Sequence, residues 1–582
     1  MSQVERRSAR PVGSTRFGSI RFGSIRFGSI RFWRGAMSMV LIAGVLHAQA
    51  APTPTPTPTA PRLVLQITVD QLRGDLLPRF HDRFGPRGFR LLMDQGVYFA
   101  NAHYETANTL TCAGHAVLAT GAFVAEHGMV GNSWYDRETG KSVYCVEDDR
   151  YPAVGEPAKS GVGVSPAKLL SSTVSDELVS ASGGRSRAFG VSGKDRSSIV
   201  PAGHRGKAFW TSDVTGGIAT SRYYYSELPA WVQEWNNRKL FTRYRAKGWE
   251  LSRPLDSYVN RLGAANPFAH PKSGTGSTFP HRLNQDTDAA LAESIRFTPF
   301  LDEITADFAQ ALITNEKLGA SSHADYLSIS FSSTDFIGHA YGPNSIETED
   351  NLIHLDATLT RLFAFIDRTI GLRNTVIVLS ADHGVDDVPE ERKGLGYDAE
   401  RFGGEALRAK LNESLRSRLS IDADLVAAVI PPGVYFDQPK LRESRLETTV
   451  AENALAAVLR AEPGVAYVFT RSDLVAGRVG GSPLADRVRN AFHPKRSGDV
   501  FVVQKQFYYF DVTPDYYAAM HGSPYSYDTY VPVAVLAPGV KAMTSYEPVA
   551  PGQIAPTLSA LLKIKQPSGC SCGPPLPHVL PR

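Results

Sequence analysis

The sequence predicts an α/β fold with a central, mostly parallel sheet flanked by helices and an inserted α+β subdomain. Short apolar runs rich in β-branched residues alternate with segments of helical periodicity, which is typical of parallel strands joined by crossover helices. Three of these runs end at or just before an acidic residue. The chain of 582 residues is too long for one compact core and leaves room for insertions.

The sheet-forming and helix-forming segments follow each other along the chain. Runs that predict strands are residues 63–69, 188–191, 326–331, 375–379 and 531–536. A helix is predicted around residues 89–93, another directly after Thr111, and a third along the apolar stripe 355–366. Thr298 followed by Pro299 predicts an N-cap and first helical residue. Its helix would place Ile304, Phe308 and Leu312 on one face.

Two stretches interrupt this alternation. Residues 205–285 are rich in Trp and Tyr and are interpreted as a first insertion. Between residues 404 and 510 the pattern changes to short strands and helices, with an Ala-rich helix at 453–460, and predicts the α+β subdomain. Its strands are expected at 426–430, 465–469 and 500–503. The main domain would then comprise residues 62–403 and 511–566, followed by a C-terminal tail, 567–582.

Residues 1–50 are predicted to be a secretory signal peptide. Arg34 precedes an uncharged apolar stretch, 37–46, and Ala48-Gln49-Ala50 matches a cleavage site. An Arg-Phe-Gly-Ser-Ile repeat lies upstream, so a translation start at Met37 is an alternative. Pro and Thr alternate within the linker 51–61, which favours an extended chain. We expect a periplasmic or secreted protein without a transmembrane segment.

The charge of the mature chain argues against nucleic acid as a partner. The whole sequence carries a formal charge of +4, but residues 1–50 contain eight Arg and one Glu, a charge of +7. Subtracting that segment leaves −3 for residues 51–582. A slightly acidic protein gives no basis for binding nucleic acid or acidic membranes.

The four cysteines are interpreted as structural. Export permits disulfides, and sequence distance favours pairing Cys112 with Cys145 and Cys570 with Cys572, although three connectivities exist. A bridge between residues 570 and 572 would close a very tight ring, so free thiols at these two positions are the alternative. None of the spacings matches a zinc ribbon.

Four short segments place acidic and histidine side chains where two metal ions would share one phosphate. These segments are Val-Asp-Gln (Asp70), Ser-Thr-Asp-Phe-Ile-Gly-His (Asp335 and His339), Ala-Asp-His-Gly (Asp382 and His383) and Met-His-Gly-Ser-Pro (His521). The carboxyl ends of strands are the ligand-binding edge of an open α/β sheet. Zinc suits mixed nitrogen and oxygen ligands, and two ions about 4 Å apart stabilise entering and leaving oxygens in phosphoryl transfer. We expect Asp335, His339 and His521 in one site, and Asp70, Asp382 and His383 in the other.

A nucleophile and phosphate-binding groups are also required. Thr111 is the best candidate nucleophile, since a predicted helix N-terminus and a metal would activate its hydroxyl. Thr109 is a rival and Thr106 a lesser one, and a simple N-cap role for Thr111 is the alternative. Candidates for contacts to phosphate oxygens are Asn132, Lys194 and Arg196.

At these residues the sequence resembles the alkaline phosphatase superfamily. It is most similar to the exported, single-subunit bacterial phosphatases with a threonine nucleophile and a Lys-x-Arg pair, from about Leu63 to Pro556. The resemblance implies an alkaline phosphatase-like fold, a monomer, and two zinc ions, with Thr111 joining the Asp70 site. It implies that Asn132, Lys194 and Arg196 bind the phosphate of a small phosphate monoester. Ala113 departs from the Pro of many relatives, which concerns loop rigidity.

Other readings remain. The nucleotide pyrophosphatase/phosphodiesterase branch shares the metal ligands and the threonine, but generally lacks the Lys-x-Arg pair. A sulfatase is disfavoured because the Cys/Ser-x-Pro-x-Arg motif is absent around Cys112. A non-catalytic zinc-binding protein of this fold would have lost a ligand or the nucleophile, and the sequence retains all of them.

Overall fold

An eleven-stranded mixed sheet forms the centre of the part of the chain described by the computed structural model, which is residues 60–157, 163–259, 262, 265–272, 274–283 and 285–580. The predicted signal peptide and nearly all of the linker lie outside these residues. In chain order the strands of this sheet are β1 Leu63–Val69, β2 Val97–Phe99, β5 Glu147–Val154, β6 Gly163–Val164, β7 Ala188–Ser192, β8 Lys207–Thr211, β9 Ile218–Ser221, β10 Asp325–Phe331, β11 Thr375–Ser380, β18 Val533–Leu536 and β19 Met543–Ser545. The remaining strands are β3 Ser133–Asp136, β4 Lys141–Tyr144, β12 Arg401–Gly403, β13 Val426–Ile430, β14 Gly433–Phe436, β15 Val465–Thr470, β16 Val500–Gln504 and β17 Tyr509–Asp511.

The strand order across the sheet is β19-β2-β18-β11-β1-β10-β7-β8-β9-β5-β6. The five central strands, from β11 to β8, are parallel, and most flanking pairs are antiparallel. Every residue of β1, β10 and β11 is buried, as expected for strands covered on both faces. The predicted α/β fold with a largely parallel centre is therefore confirmed.

Helices cover both faces of the sheet. Among the described residues they are α1 Leu76–Arg79, α2 Phe89–Gln95, α3 Thr111–Thr120, α4 Val124–His127, α5 Val174–Ala181, α6 Asp195–Ala202, α7 Ala230–Asn237, α8 Asp288–Ile295, α9 Phe300–Asn315, α10 Ser333–Tyr341, α11 Ile346–Thr369, α12 Pro389–Gly394, α13 Gly404–Leu419, α14 Gln438–Glu443, α15 Thr448–Leu459, α16 Arg471–Val475, α17 Pro483–Asn490, α18 Ser526–Thr529 and α19 Ile554–Leu562. Leu65 and Ile67 of β1 belong to the core formed with α9 and α11, whereas Val64 belongs to the core formed with α5 and α19. No helix of the described chain is both long and apolar enough to cross a membrane.

Helix α9 runs from Phe300, one residue after the predicted start, but Pro299 already has helical angles (φ −60°, ψ −15°). The Thr298 hydroxyl accepts the N–H of Phe300 (3.3 Å) and donates to the carbonyl of Ile295 (2.7 Å), so Thr298 makes the predicted capping contact. One other local expectation differs from the structure. In the stretch interpreted as a first insertion, β8 and β9 are strands of the main sheet, because β8 pairs in parallel with β7.

The inserted α+β subdomain has a sheet and a core of its own. Its sheet has the order β13-β14-β16-β15 and is antiparallel. Leu411, Leu415, Phe436 and Leu455 contribute to an apolar cluster that is separate from the clusters of the main sheet. The subdomain is thus confirmed, while its exact limits, 404 and 510, stay a prediction.

A disulfide joins Cys112, the second residue of α3, to Cys145, directly after β4. Of the two pairings favoured by sequence distance, the structure therefore contains the first. Cys570 and Cys572 are free thiols, as the tight ring between them suggested. The disulfide ties the start of α3 to the hairpin formed by β3 and β4.

Candidate active site

Three carboxylates meet at the carboxyl ends of neighbouring parallel strands. Asp70 follows β1 directly, and its backbone N–H donates to the carbonyl of Phe331 at the end of β10 (2.9 Å). Asp335 lies in the first turn of α10, and Asp382 is two residues beyond β11. All three residues are at most 2% exposed. The sheet topology thus brings together residues separated by more than 300 positions in the chain.

One candidate metal centre consists of Asp335, His339 and His521. Their ligand atoms all lie within 4.8 Å of one another. Oδ1 of Asp335 is 3.2 Å from Nε2 of His339 and 3.6 Å from Nε2 of His521. The spacing of four residues on α10 places Asp335 and His339 on one face of that helix. This is the group that the sequence predicted for one site.

The second candidate centre brings Asp70, Asp335 and His383 within 4.8 Å. Nε2 of His383 is 3.5 Å from Oδ1 of Asp70 and 3.4 Å from Oδ2 of Asp382. Asp382 therefore borders this centre, as the sequence predicted. The three residues whose ligand atoms lie within 4.8 Å of one another nevertheless include Asp335 and not Asp382. Asp335 reaches both centres because its carboxylate lies between them.

The histidine rings of both centres have a fixed tautomer. Nδ1 of His339 lies 2.8 Å from the carbonyl oxygen of Ala519. Nδ1 of His383 lies 2.9 Å from that of Gly384, and Nδ1 of His521 lies 2.7 Å from that of Thr109. Since a carbonyl only accepts, Nδ1 carries the hydrogen and Nε2 presents a lone pair to the site. Burial lowers the pKa of His383, and burial with the neighbouring histidines lowers the pKa of His521. Both rings are therefore held in the neutral, metal-binding form.

Several buried ligand atoms are available to bind a divalent cation. Oδ1 of Asp70, Oδ2 of Asp382 and Nε2 of His383 make no hydrogen bond with the described residues. Buried polar atoms in this state are costly unless a cation or water satisfies them. The combination of carboxylate oxygens and imidazole nitrogens suits a transition metal. The residues present thus fit a metal-binding role.

Lys194 lies between the two candidate centres. It directly precedes α6, and its Nζ is 2.7 Å from Oδ2 of Asp70 and 2.5 Å from Oδ2 of Asp335. Burial and the charges of Asp335 and Asp382 raise the pKa of Asp70, and Lys194 partly offsets this. The sequence assigned Lys194 to phosphate oxygens alone, whereas here its ammonium group also neutralises two ligand carboxylates.

Arg196 lies on α6 beside a cavity of about 340 Å³. Its guanidinium group donates to the hydroxyl of Tyr144 (3.2 Å), which donates to the carboxylate of Asp195 (2.6 Å). Lys194 and Arg296 also line this cavity. Glu156, Asp195 and Asp213 line it as well, so its three cations are matched by three acidic residues. Lys194 is the cation of this lining that also contacts the candidate centres.

Thr111 is the first residue of α3 and is buried. The side-chain oxygen of Asn132 accepts the N–H of Cys112 in the same turn (2.9 Å). Helix α3 passes close to the Asp382 segment, because a Cβ at Gly114 would lie 2.0 Å from the carbonyl oxygen of Asp382. The hydroxyl of the rival Thr109 donates to the carbonyl of Ser523 (2.9 Å), which favours Thr111.

Two residues that sequence reasoning missed hold the ligands in place. The side-chain amide of Gln71 donates to Asp335 (2.8 Å), and its backbone N–H donates to Asp382 (3.1 Å). Nδ1 of His115 lies 3.2 Å from Asp382 and 2.9 Å from the carbonyl of Thr111. The available signals were weak: Gln71 adjoins Asp70, and His115 is one helical turn after Thr111. Both act through tertiary contacts.

Comparison with known proteins assigns the chain to a family. The family model described as type I phosphodiesterase / nucleotide pyrophosphatase matches residues 64–524. The chain belongs to this family. The superfamily resemblance predicted from the motifs is thereby confirmed, and the match covers both candidate centres of this phosphodiesterase-family chain.

Relatives of this phosphodiesterase-family chain include two proteins named alkaline phosphatases. Alkaline phosphatase PafA of Elizabethkingia meningoseptica is 35% identical over 556 residues, which cover 94% of this chain and 98% of the relative. Alkaline phosphatase PhoV of Synechococcus elongatus is 34% identical over 513 residues, covering 88% and 91% respectively. Both matches extend over nearly the full length of each relative.

A solved structure agrees with the fold. The crystal structure of a PafA variant superposes with a TM-score of 0.83 at 34% identity, covering 89% of this chain and 99% of that one. In that variant a threonine, an asparagine, a lysine and an arginine are replaced, at successive intervals of 21, 62 and 2 residues. The same intervals separate Thr111, Asn132, Lys194 and Arg196.

Proposed function

We propose that this protein is an exported, zinc-dependent alkaline phosphatase that hydrolyses phosphate monoesters through a phosphothreonine at Thr111. The observation that carries the proposal is the position of Lys194, whose ammonium group contacts one carboxylate from each candidate metal centre. A cation at this place would meet a phosphate bound between the two centres. The names of the two relatives, both alkaline phosphatases, support the same activity.

The proposed metals are two zinc ions. Asp335, His339 and His521 would hold one, and Asp70, Asp382 and His383, with the Thr111 hydroxyl, the other. When bound, two zinc ions stabilise negative charge on the entering and leaving oxygens of phosphoryl transfer. Imidazole nitrogen with carboxylate oxygen is a common donor set for catalytic zinc.

Thr111 would act as the nucleophile. Its Oγ forms a bond to phosphorus while the bond from phosphorus to the ester oxygen breaks, so that the alcohol leaves with a proton. Water then attacks the phosphothreonine, which releases inorganic phosphate and restores the hydroxyl. The positive end of the helix dipole, at the first turn of α3, favours negative charge at this position.

Asn132, Lys194 and Arg196 would bind the non-bridging phosphate oxygens. Two cations balance the dianionic phosphoryl group of a monoester, and their hydrogen bonds strengthen in a water-poor site. The intervals shared with the replaced residues of the PafA variant support this assignment.

Export is supported by the disulfide between Cys112 and Cys145, since disulfides persist in oxidising compartments such as the periplasm. A periplasmic or secreted location also agrees with the signal peptide expected at residues 1–50. The monomeric state implied by the motif resemblance is part of the same proposal.

A phosphodiesterase is the second candidate, and the family description favours it. A diester carries a second organic group in place of one phosphate oxygen. Lys194 and Arg196 present charge to the phosphate instead, which favours the monoester. A non-catalytic zinc-binding protein is the least supported reading, because every expected ligand and the threonine are retained.

A kinetic comparison tests the monoester assignment. With zinc present, an aryl phosphate monoester should be hydrolysed with a kcat/KM far above that of its methyl diester. The physical reason is that Lys194 and Arg196 would balance the extra negative charge of the monoester. A higher kcat/KM for the diester would assign the chain to the phosphodiesterase activity.

Metal removal tests the role of the two centres. The purified protein should contain close to two zinc ions per chain, by elemental analysis. Exhaustive chelation should abolish hydrolysis of the monoester, and added zinc should restore it, because the ligand carboxylates and imidazoles would lose their shared cations. Full activity after chelation would refute the metal assignment.

A further inference from the structure

A second cavity, of about 300 Å³, opens beside the candidate active site. Asn132 and His521 line it, together with Leu110, which directly precedes Thr111. It is therefore continuous with residues already placed at the nucleophile and at one metal centre. Its volume is of the size that accepts an aromatic ring or a short alkyl chain.

The inserted subdomain builds the outer wall of this cavity. Ile430, the last residue of β13, lines it together with Pro431 and Pro432, which lie between β13 and β14. Gln504, at the end of β16, lines it too. Phe510 in β17 and Val512, which directly follows that strand, complete the wall. The cavity thus lies between the main sheet and the subdomain.

The position of this wall is fixed relative to Asn132. Asn132 directly precedes β3, whose hairpin with β4 contacts the subdomain. Arg137, between the two strands, pairs with the buried Asp499 (3.0 Å) and donates to the carbonyl of Ser497 (2.7 Å). The rings of Tyr135 and Tyr435 also pack across this boundary, with centroids 5.9 Å apart. These contacts tie the subdomain to the hairpin that follows Asn132.

The two cavities of the site differ in the charged residues that line them. Lys194, Arg196 and Arg296 line the first, together with Glu156, Asp195 and Asp213. No lysine or arginine of the described chain lines the second, and Asp511 is its one acidic residue. Most of its remaining wall is apolar, including Leu110, Ile430, Phe510 and Val512. An anionic group would be disfavoured there, whereas an uncharged apolar group would bury its surface.

We infer that this second cavity takes the organic group of the substrate, and that the inserted subdomain makes the site select phosphate monoesters of uncharged, apolar alcohols such as aryl alcohols. The inference rests on the proposed phosphatase activity and adds a substrate class to it. It also gives the subdomain a role in choosing substrates, apart from the chemistry of the metal centres.

The test compares 2-naphthyl phosphate with its 6-carboxylated analogue. The native protein should hydrolyse the uncharged substrate with a kcat/KM at least about tenfold higher. Val512→Lys places a cation at the wall, where Val512 is 46% exposed and tolerates a polar side chain. This variant should reduce the preference about tenfold, mainly through a lower KM for the carboxylated substrate.

Val450→Lys is the matched control, since Val450 is 47% exposed and lies on α15, away from the cavity lining. It should leave the preference unchanged. Equal kcat/KM values for the two substrates in the native protein would overturn the inference, as would an equal shift in both variants. If the native protein hydrolyses neither monoester, the proposed function itself fails, and the inference with it.

Discussion

Thr111→Ala should abolish phosphate monoester hydrolysis while the protein keeps its fold and metals. We expect kcat to fall by about four to six orders of magnitude, the range found when members of a nucleophilic catalytic set are removed. The reason is that no phosphothreonine can form without the hydroxyl at the start of α3. Steady-state kinetics, with zinc content and thermal unfolding measured on the same sample, would check this.

The position of the covalent phosphate gives a direct control. After acid quenching during turnover, peptide mass analysis should find phosphate on Thr111. Thr111→Ser keeps a hydroxyl and should retain substantial activity, and Thr109→Ala should be mildly affected because its hydroxyl is bonded to the carbonyl of Ser523. Phosphate on Thr109 would show that the nucleophile has been misassigned.

Removing Lys194 and Arg196 together should reduce the preference for monoesters over diesters. Each lost donor to the transition state costs about 10²–10³ in rate, so monoester turnover should fall by several orders of magnitude. Diester turnover should fall far less, since a diester presents about one negative charge fewer to these cations. The ratio of the two kcat/KM values, measured on native protein and on the Lys194→Ala/Arg196→Ala variant, is the relevant quantity.

Metal content must be measured beside these rates, because Lys194 also contacts Asp70 and Asp335. Arg238→Ala/Lys239→Ala removes an exposed arginine and lysine and serves as the charge-matched control. It should leave both activities unchanged. Equal losses for monoester and diester would mean that the pair only maintains the site, and the phosphodiesterase reading would regain support.

The centre of the fold can be predicted from the sequence because its strands are buried on both faces. The apolar runs at β1, β10 and β11 predicted these strands to within one residue. The antiparallel flanks depend on pairing between distant segments, such as β2 with β18, which local patterns do not encode. The start of α9 was predicted to within one residue, because Thr298 and Pro299 act through local contacts.

The ligand residues were predictable because carboxylates and histidines follow strands that end at one edge of the sheet. Lys194 shows the limit of this reasoning: its place between Asp70 and Asp335 depends on where β7 lies in the sheet. Gln71 and His115 were missed for the same reason, since they act on ligands that are remote in sequence. Residue type and spacing identify ligands, and topology decides which of them share an ion.

The inserted subdomain has an apolar core separate from that of the main sheet. Its turn at residues 430–432 belongs to neither of the two apolar clusters that contain β1 and β11, the strands before Asp70 and Asp382. Natural selection can act on the two parts at different rates. Descendants of one ancestral gene can diverge in the compounds they consume while they inherit the same reaction chemistry intact.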